Sequence, residues 1–166
     1  VVKHPLYQKG AADDIDLALI RFKAPLASPP PIALNIAKDE LNKIVTIVGW
    51  GYFGIGTLGR QYADGRMRYA TNQISQSRRY LRYRFDDPRE AASASLPTEG
   101  MLGLGDSGGP ALLTTASGPR LAGVAVGQLL NVDYDEETQG RYGAIAIYER
   151  VSSHITWIES VINSSE

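Results

Sequence analysis

Residues 105–113 read Gly105-Asp106-Ser107-Gly108-Gly109-Pro110-Ala111-Leu112-Leu113, and the residues after the serine decide the fold. Glycines on both sides of Ser107 let the backbone bend tightly and bring amide hydrogens toward an incoming oxygen. Pro110 and an apolar, strand-like run come next. That run and Leu121-Ala122-Gly123-Val124-Ala125-Val126 flank a turn at Ser117-Gly118-Pro119, which reads as a β-hairpin. The serine bend therefore leads into β structure.

Working outward, Ile44-Val45-Thr46-Ile47-Val48 is β-branched almost throughout and predicts a strand. It runs into Gly49-Trp50-Gly51 and a Gly-rich stretch to Gly59 that reads as loop. Residues 60–90 are rich in Arg and Tyr; Met67 to Phe85 has room for two strands, and residues 91–100 read as loop. Asp133 to Gly140 predicts an acidic loop and Tyr142 to Tyr148 another strand. Val151, Ile155, Ile158 and Ile162 recur at helical spacing and predict one apolar face of a terminal helix. Toward the start, residues 13–23 predict a short buried strand bounded by charges. Pro25 ends it, and Ser28-Pro29-Pro30-Pro31 reads as an extended linker and a boundary. Many short strands and a final helix favour a β-barrel or sandwich.

The chain has 166 residues, 17 Lys+Arg against 18 Asp+Glu and a formal charge of −1. That length suits one domain, or two small ones sharing a seam. The near-neutral balance argues against a nucleic-acid binder, and no apolar run approaches the roughly 20 residues of a membrane helix. No signal peptide is visible at Val1-Val2-Lys3-His4-Pro5. The chain does not begin with Met, so a processed or truncated piece is expected. With no cysteine, disulfides, zinc–thiolate sites, iron–sulfur clusters and thiol catalysis are excluded.

The imidazoles are His4 and His154. His4, before Pro5, reads as a surface residue in extended backbone, and His154 as a residue of the terminal helix. Trp50 and Trp157 read as core packing. Arg78, Arg79, Arg82 and Arg84, with Tyr80 and Tyr83 between them, read as the solvated face of a strand pair. Taken alone, G-x-S-x-G also fits the serine elbow of α/β-hydrolases, but that elbow must lead straight into a helix. An esterase of that kind is thereby disfavoured.

The six residues from Gly105 to Pro110 have ordered company: Asp16-Leu17-Ala18-Leu19-Ile20, Gly49-Trp50-Gly51, and Tyr148, Val151 and Trp157-Ile158. Together these resemble the chymotrypsin/trypsin family of serine proteases. The resemblance is tight in those motifs and loose from 52 to 100. It implies that Ser107 is the nucleophile and that the backbone N–H groups of Gly105 and Ser107 form the oxyanion hole. Asp16, rather than its neighbours Asp13 and Asp14, matches the carboxylate that orients the catalytic histidine. Asp106 matches the residue that pairs with a new amino terminus after zymogen cleavage. Met101, six before Ser107, matches the floor of the specificity pocket, and Val126, Gly127 and Gln128 match the substrate-binding strand. With Met101 apolar, medium-sized apolar side chains are the expected substrates. Glu99, two residues earlier, is a rival floor carboxylate.

The departures are specific. The family's general-base histidine lies several strands before the triad aspartate, and Asp16 leaves no room for it here; His4 matches a non-catalytic His-Pro segment. The second barrel's cysteines are absent, with Gly103 at one of their positions. The expectation is an all-β, trypsin-like double β-barrel, represented by residues 1–31 (end of the N-terminal barrel and linker), 32–150 (C-terminal β-barrel) and 151–166 (C-terminal helix). The expected function is a serine endopeptidase acting on peptides or proteins, inactive as this chain alone, with the missing N-terminal half as a candidate partner. It needs no cofactor or metal and engages neither nucleic acid nor membrane. The family resemblance implies a secreted or periplasmic protein. The rival is a non-catalytic homologue that binds a partner through the same groove.

Overall fold

A computed structural model describes residues 1–8, 10, 14–129 and 139–164. The strands in chain order are β1 (Val2–Lys3), β2 (Ala18–Leu19), β3 (Ala33–Leu34), β4 (Ile44–Gly49), β5 (Phe53–Ile55), β6 (Gly59–Tyr62), β7 (Arg68–Gln73), β8 (Gln76–Ser77), β9 (Tyr80–Arg84), β10 (Pro110–Thr115), β11 (Gly118–Leu129) and β12 (Ile145–Arg150). A 3-10 turn at Val151–Ser153 leads into helix α1 (Ile155–Asn163).

One antiparallel sheet dominates, ordered β7-β4-β10-β11-β12-β9-β8, with β3 added in parallel to β11. It curls into a half-barrel around a single core. Period-2 alternation sets which residues enter that core. Val45 and Ile47 of β4, Leu81 and Tyr83 of β9, Ala111 and Leu113 of β10, and Ala146 and Tyr148 of β12 all point inward. The small Ala111, Ala122, Ala125 and Ala146 leave space for the two tyrosine rings, whose centroids lie 5.8 Å apart. Arg78, Arg79 and Arg84 are exposed and Arg82 is half-buried, but Tyr83 of the same stretch points into the core rather than to solvent.

Two irregularities shape the site. The β11–β12 register slips between Ala125 and Gly127, leaving Val126 as the extra residue of a bulge. A bulge bends the strand and re-aims its neighbours. At the far end of the sheet, Glu40 is fully buried and accepts hydrogen bonds from Arg150 Nε (3.1 Å) and Ser152 Oγ (2.6 Å). This clamp ties the segment before β4 to the end of β12.

Some sequence expectations need correction. The strand predicted at 13–23 reduces to Ala18–Leu19, paired only with β1, while Ile20 and Phe22 are 66% and 60% exposed. An apolar run becomes a buried strand only where a second layer covers it, and the described residues provide none there. The predicted loop at 52–59 contains the hairpin β5–β6, with Phe53 packed on Tyr62. Trp50 is exposed rather than core, and His4 is buried rather than at the surface. The terminal face is only partly realised: Val151 and Ile158 are buried, but Ile162 is exposed. Most of the predicted acidic loop (133–138) lies outside the described residues.

Candidate active site

Ser107 sits in the turn that feeds β10 and is exposed. Gly105 precedes it at φ +92°, a left-handed value that glycine adopts without a Cβ clash. Between them, Asp106 turns inward. Its Oδ1 accepts the Gly51 N–H and its Oδ2 the Gly103 N–H, each at 2.7 Å. The fit explains the upstream Gly-Trp-Gly: a Cβ on Gly49 would fall on Asp106 Oδ1, and one on Gly51 would lie 2.6 Å from it. The two motifs, 55 residues apart, are thus one structural unit.

Backbone bonds fix the turn from the other side. Gly108 N–H donates to Ala125 O and Ala125 N–H donates to Gly109 O, both at 2.8 Å. The bulge at Val126 comes immediately after, so the serine turn and the bulged segment of β11 are locked together. Asp106 and Gly109 also use their N–H groups, toward Gly103 O and Asp106 O. The amides of Gly105 and Ser107 hold no hydrogen bond among the described residues. Two N–H groups without a hydrogen bond thus lie in the same turn as the exposed Ser107.

Behind the turn lies a cavity of about 160 Å³, lined by Asp106 together with apolar Ile47, Ala70, Met101 and Leu102. Gln128 crosses from β11 to the segment before Ser107: its Nε2 donates to Leu102 O at 2.8 Å, and its Oε1 accepts Gly140 N–H at 3.1 Å. Glu99 is committed elsewhere, its oxygens taken by the N–H groups of Asp86 (2.6 Å) and Leu96 (2.8 Å). Tyr148 also lines the cavity, with Tyr83 packed against it. Burial pushes both phenols up, helped at Tyr83 by its contact with Tyr148 and at Tyr148 by the charge of Asp106, so they stay neutral.

Asp16 is exposed on the short segment between β1 and β2, and its N–H donates to Glu149 Oε1 at 3.0 Å. Neither histidine bonds to Ser107 among the described residues. His4 and His154 meet each other, ring centroids 5.2 Å apart, and His154 Nε2 lies 3.4 Å from Glu149 Oε2. Sequence reasoning named Ser107, Asp106, Gly105 and Asp16 but missed Glu149. Its alternation with Tyr148 says only that it faces away from the core, not that another segment covers it.

A curled antiparallel sheet closed by a C-terminal helix, presenting Gly-Asp-Ser-Gly-Gly on a turn, defines the class of trypsin-like serine proteases. The family model Trypsin matches residues 1–158, and the chain belongs to that family. The structure is similar to that of neuropsin, a serine protease expressed in the limbic system of mouse brain. The TM-score is 0.67 at 17% identity, over 97% of this chain and 69% of that one. No curated protein matches the chain. The family's substrates are peptides or proteins. No helix among the described residues is long and apolar enough to cross a membrane.

Proposed function

We propose that the protein carrying this chain is a serine endopeptidase that hydrolyses peptide bonds through an acyl-enzyme on Ser107. The observation that carries the reading is the pair of unbonded amides, Gly105 and Ser107, in the turn of the exposed Ser107 that the Asp106 carboxylate ties to Gly51 and Gly103. In this reading those amides stabilise the tetrahedral oxyanion, and Asp16 is the carboxylate that orients a histidine. That histidine comes from the first barrel, outside this chain. Without it a serine hydroxyl is a poor nucleophile at neutral pH, so the isolated chain is inactive and residues 1–31 belong with the missing barrel.

The remaining roles follow the family pattern. Met101 forms the pocket floor, and its neighbour Leu102 is apolar too; Glu99 is bound to backbone amides away from it. The slot therefore prefers medium-sized apolar side chains over Arg or Lys, because an unpaired buried cation bears a desolvation cost. Val126, Gly127 and Gln128 pair with the substrate backbone, and Val126 and Gln128 narrow the entrance. Asp106, at the cavity wall, accepts the amino terminus freed by zymogen cleavage in addition to its two backbone bonds. The location proposed is secreted or periplasmic. The test is turnover of a peptide library by the full-length protein and its Ser107→Ala variant. Cleavage after Leu, Val or Met that vanishes in the variant supports the reading; a strong preference for Arg overturns the placement of Met101.

One observation favours the rival, a non-catalytic homologue that binds partners. Both of this chain's histidines are engaged around Glu149 rather than at Ser107. A full-length protein that fails to label with a fluorophosphonate at Ser107 would establish it.

A further inference from the structure

Asp16 lies beyond the β1–β2 ladder, between two local backbone bonds, His4 N–H to Leu17 O (2.8 Å) and Ile15 N–H to Leu6 O (3.3 Å). β1 and β2 share two residue pairs, and Ile20 just beyond is exposed. The Asp16 N–H itself, and the carbonyl of Asp14, are held from the main sheet. Tyr80 Oη donates to Asp14 O at 3.2 Å, and the Arg79 guanidinium donates to the same carbonyl. Glu149, only 1% exposed, stands opposite Tyr80 in the β9–β12 register and takes the Asp16 N–H itself, across 133 residues of sequence.

The two oxygens of Glu149 differ. Oε1 holds Asp16; Oε2 is buried with no hydrogen bond and faces His154 Nε2 at 3.4 Å. His154 is backed by His4, which also packs against Trp157 (centroids 4.7 Å apart). His4 is tied to the same segment, its N–H donating to Leu17 O at 2.8 Å and its Nδ1 accepting Leu6 N–H at 3.2 Å. A half-satisfied buried carboxylate is costly. Here its one hydrogen bond goes to the Asp16 N–H, which none of the local bonds takes.

We propose that Glu149 is a positioning residue for Asp16, setting through the Asp16 backbone where that carboxylate stands relative to the serine turn, with His154 and His4 packed behind it. This rests on the reading of Asp16 as the histidine-orienting carboxylate. Catalytic geometry is intolerant: a displacement of about 1 Å costs on the order of 100-fold in rate.

The test compares Glu149→Ala and Glu149→Gln in the full-length protein, with residue-resolved amide exchange and steady-state kinetics side by side. Glu149→Ala removes the acceptor. Exchange at Asp16 then rises about tenfold, the value of one lost hydrogen bond, while the amides of β10 and β11 keep their protection. In the same variant kcat falls about 10- to 100-fold with KM little changed. Glu149→Gln keeps a carbonyl toward Asp16 and restores both readouts, whereas Glu149→Met, of similar volume but without that acceptor, does not; rescue by Met would reduce Glu149 to a packing role. Unchanged Asp16 exchange in Glu149→Ala, a loss spread evenly over the whole sheet, or no rescue by Gln overturns the proposal. If Asp16→Asn leaves turnover intact while the exchange pattern appears as expected, the triad reading fails and the hold of Glu149 on the segment stands.

Discussion

The first 34 residues and the rest of the chain are built on different terms. The early region has three strands of two residues each and exposes Ile20, Phe22, Leu26 and Ile32. Its structure is borrowed: Glu149, Tyr80 and Arg79 hold its backbone, and His4 is buried against Trp157. The later region closes on itself, with a continuous apolar core and a buried Glu40–Arg150 clamp. Similar stretches of apolar sequence thus end in opposite states, because burial depends on what lies opposite rather than on the run itself.

The largest effect tests whether the two regions share one reaction. In the full-length protein, Ser107→Ala should lower kcat by about 10⁶-fold and Asp16→Asn by about 10⁴-fold, with the double variant no worse than the first, since such groups act as a unit. Additive losses would separate the regions chemically. The next effect concerns stability. Glu40→Ala strands the buried Arg150 guanidinium and should cost about 3–5 kcal/mol in urea unfolding. Leu113→Ala, in the core, should cost about 2–5 kcal/mol. Ile20→Ser and Phe22→Ser in this chain should stay within about 0.5 kcal/mol. Equal losses in both regions would erase the contrast.

A smaller effect separates the regions by pH. Burial first, then the charge of His154, hold the His4 imidazole below its ordinary value of 6.5 against the pull of Glu149. The folded state therefore resists a proton that the released segment accepts. Docking of the early region is complete above pH 6.5 and weakens as pH falls through 6.5 toward the lowered folded value. Glu40 behaves differently: burial raises its pKa, but hydrogen bonds from Arg150 and Ser152 outweigh that and leave it below 4.5. Its contribution is present above pH 4.5 and lost only as pH falls through the folded value. Amide exchange across an acid titration should show β1 and β2 loosening before β4 and β12. Simultaneous loss would refute the distinction.

How much was legible follows the same division. The strands β4, β10, β11 and β12 and the terminal helix could be read because β-branched runs, alternation and helical spacing are local signals. The serine turn was legible because its glycines answer to local backbone demands. The hairpin β5–β6 was hidden by its glycines, and the exposure of Trp50, Ile20 and Phe22 by the lack of any local sign of what covers them. Glu149 and the burial of His4 escaped for a related reason: both depend on contacts between residues more than a hundred positions apart.

The Glu40–Arg150 clamp has a further consequence, for the order in which the chain matures. It joins residues 110 apart, so the loop it closes spans most of the chain. Contacts of such separation must overcome loop-closure entropy before they return any stabilisation, and they slow folding. During synthesis, β4 must wait with Glu40 uncompensated until β12 has emerged. In that interval the nascent sheet presents unpaired strand edges, the surface on which other chains add. Assembly should therefore be controlled by the last strand made.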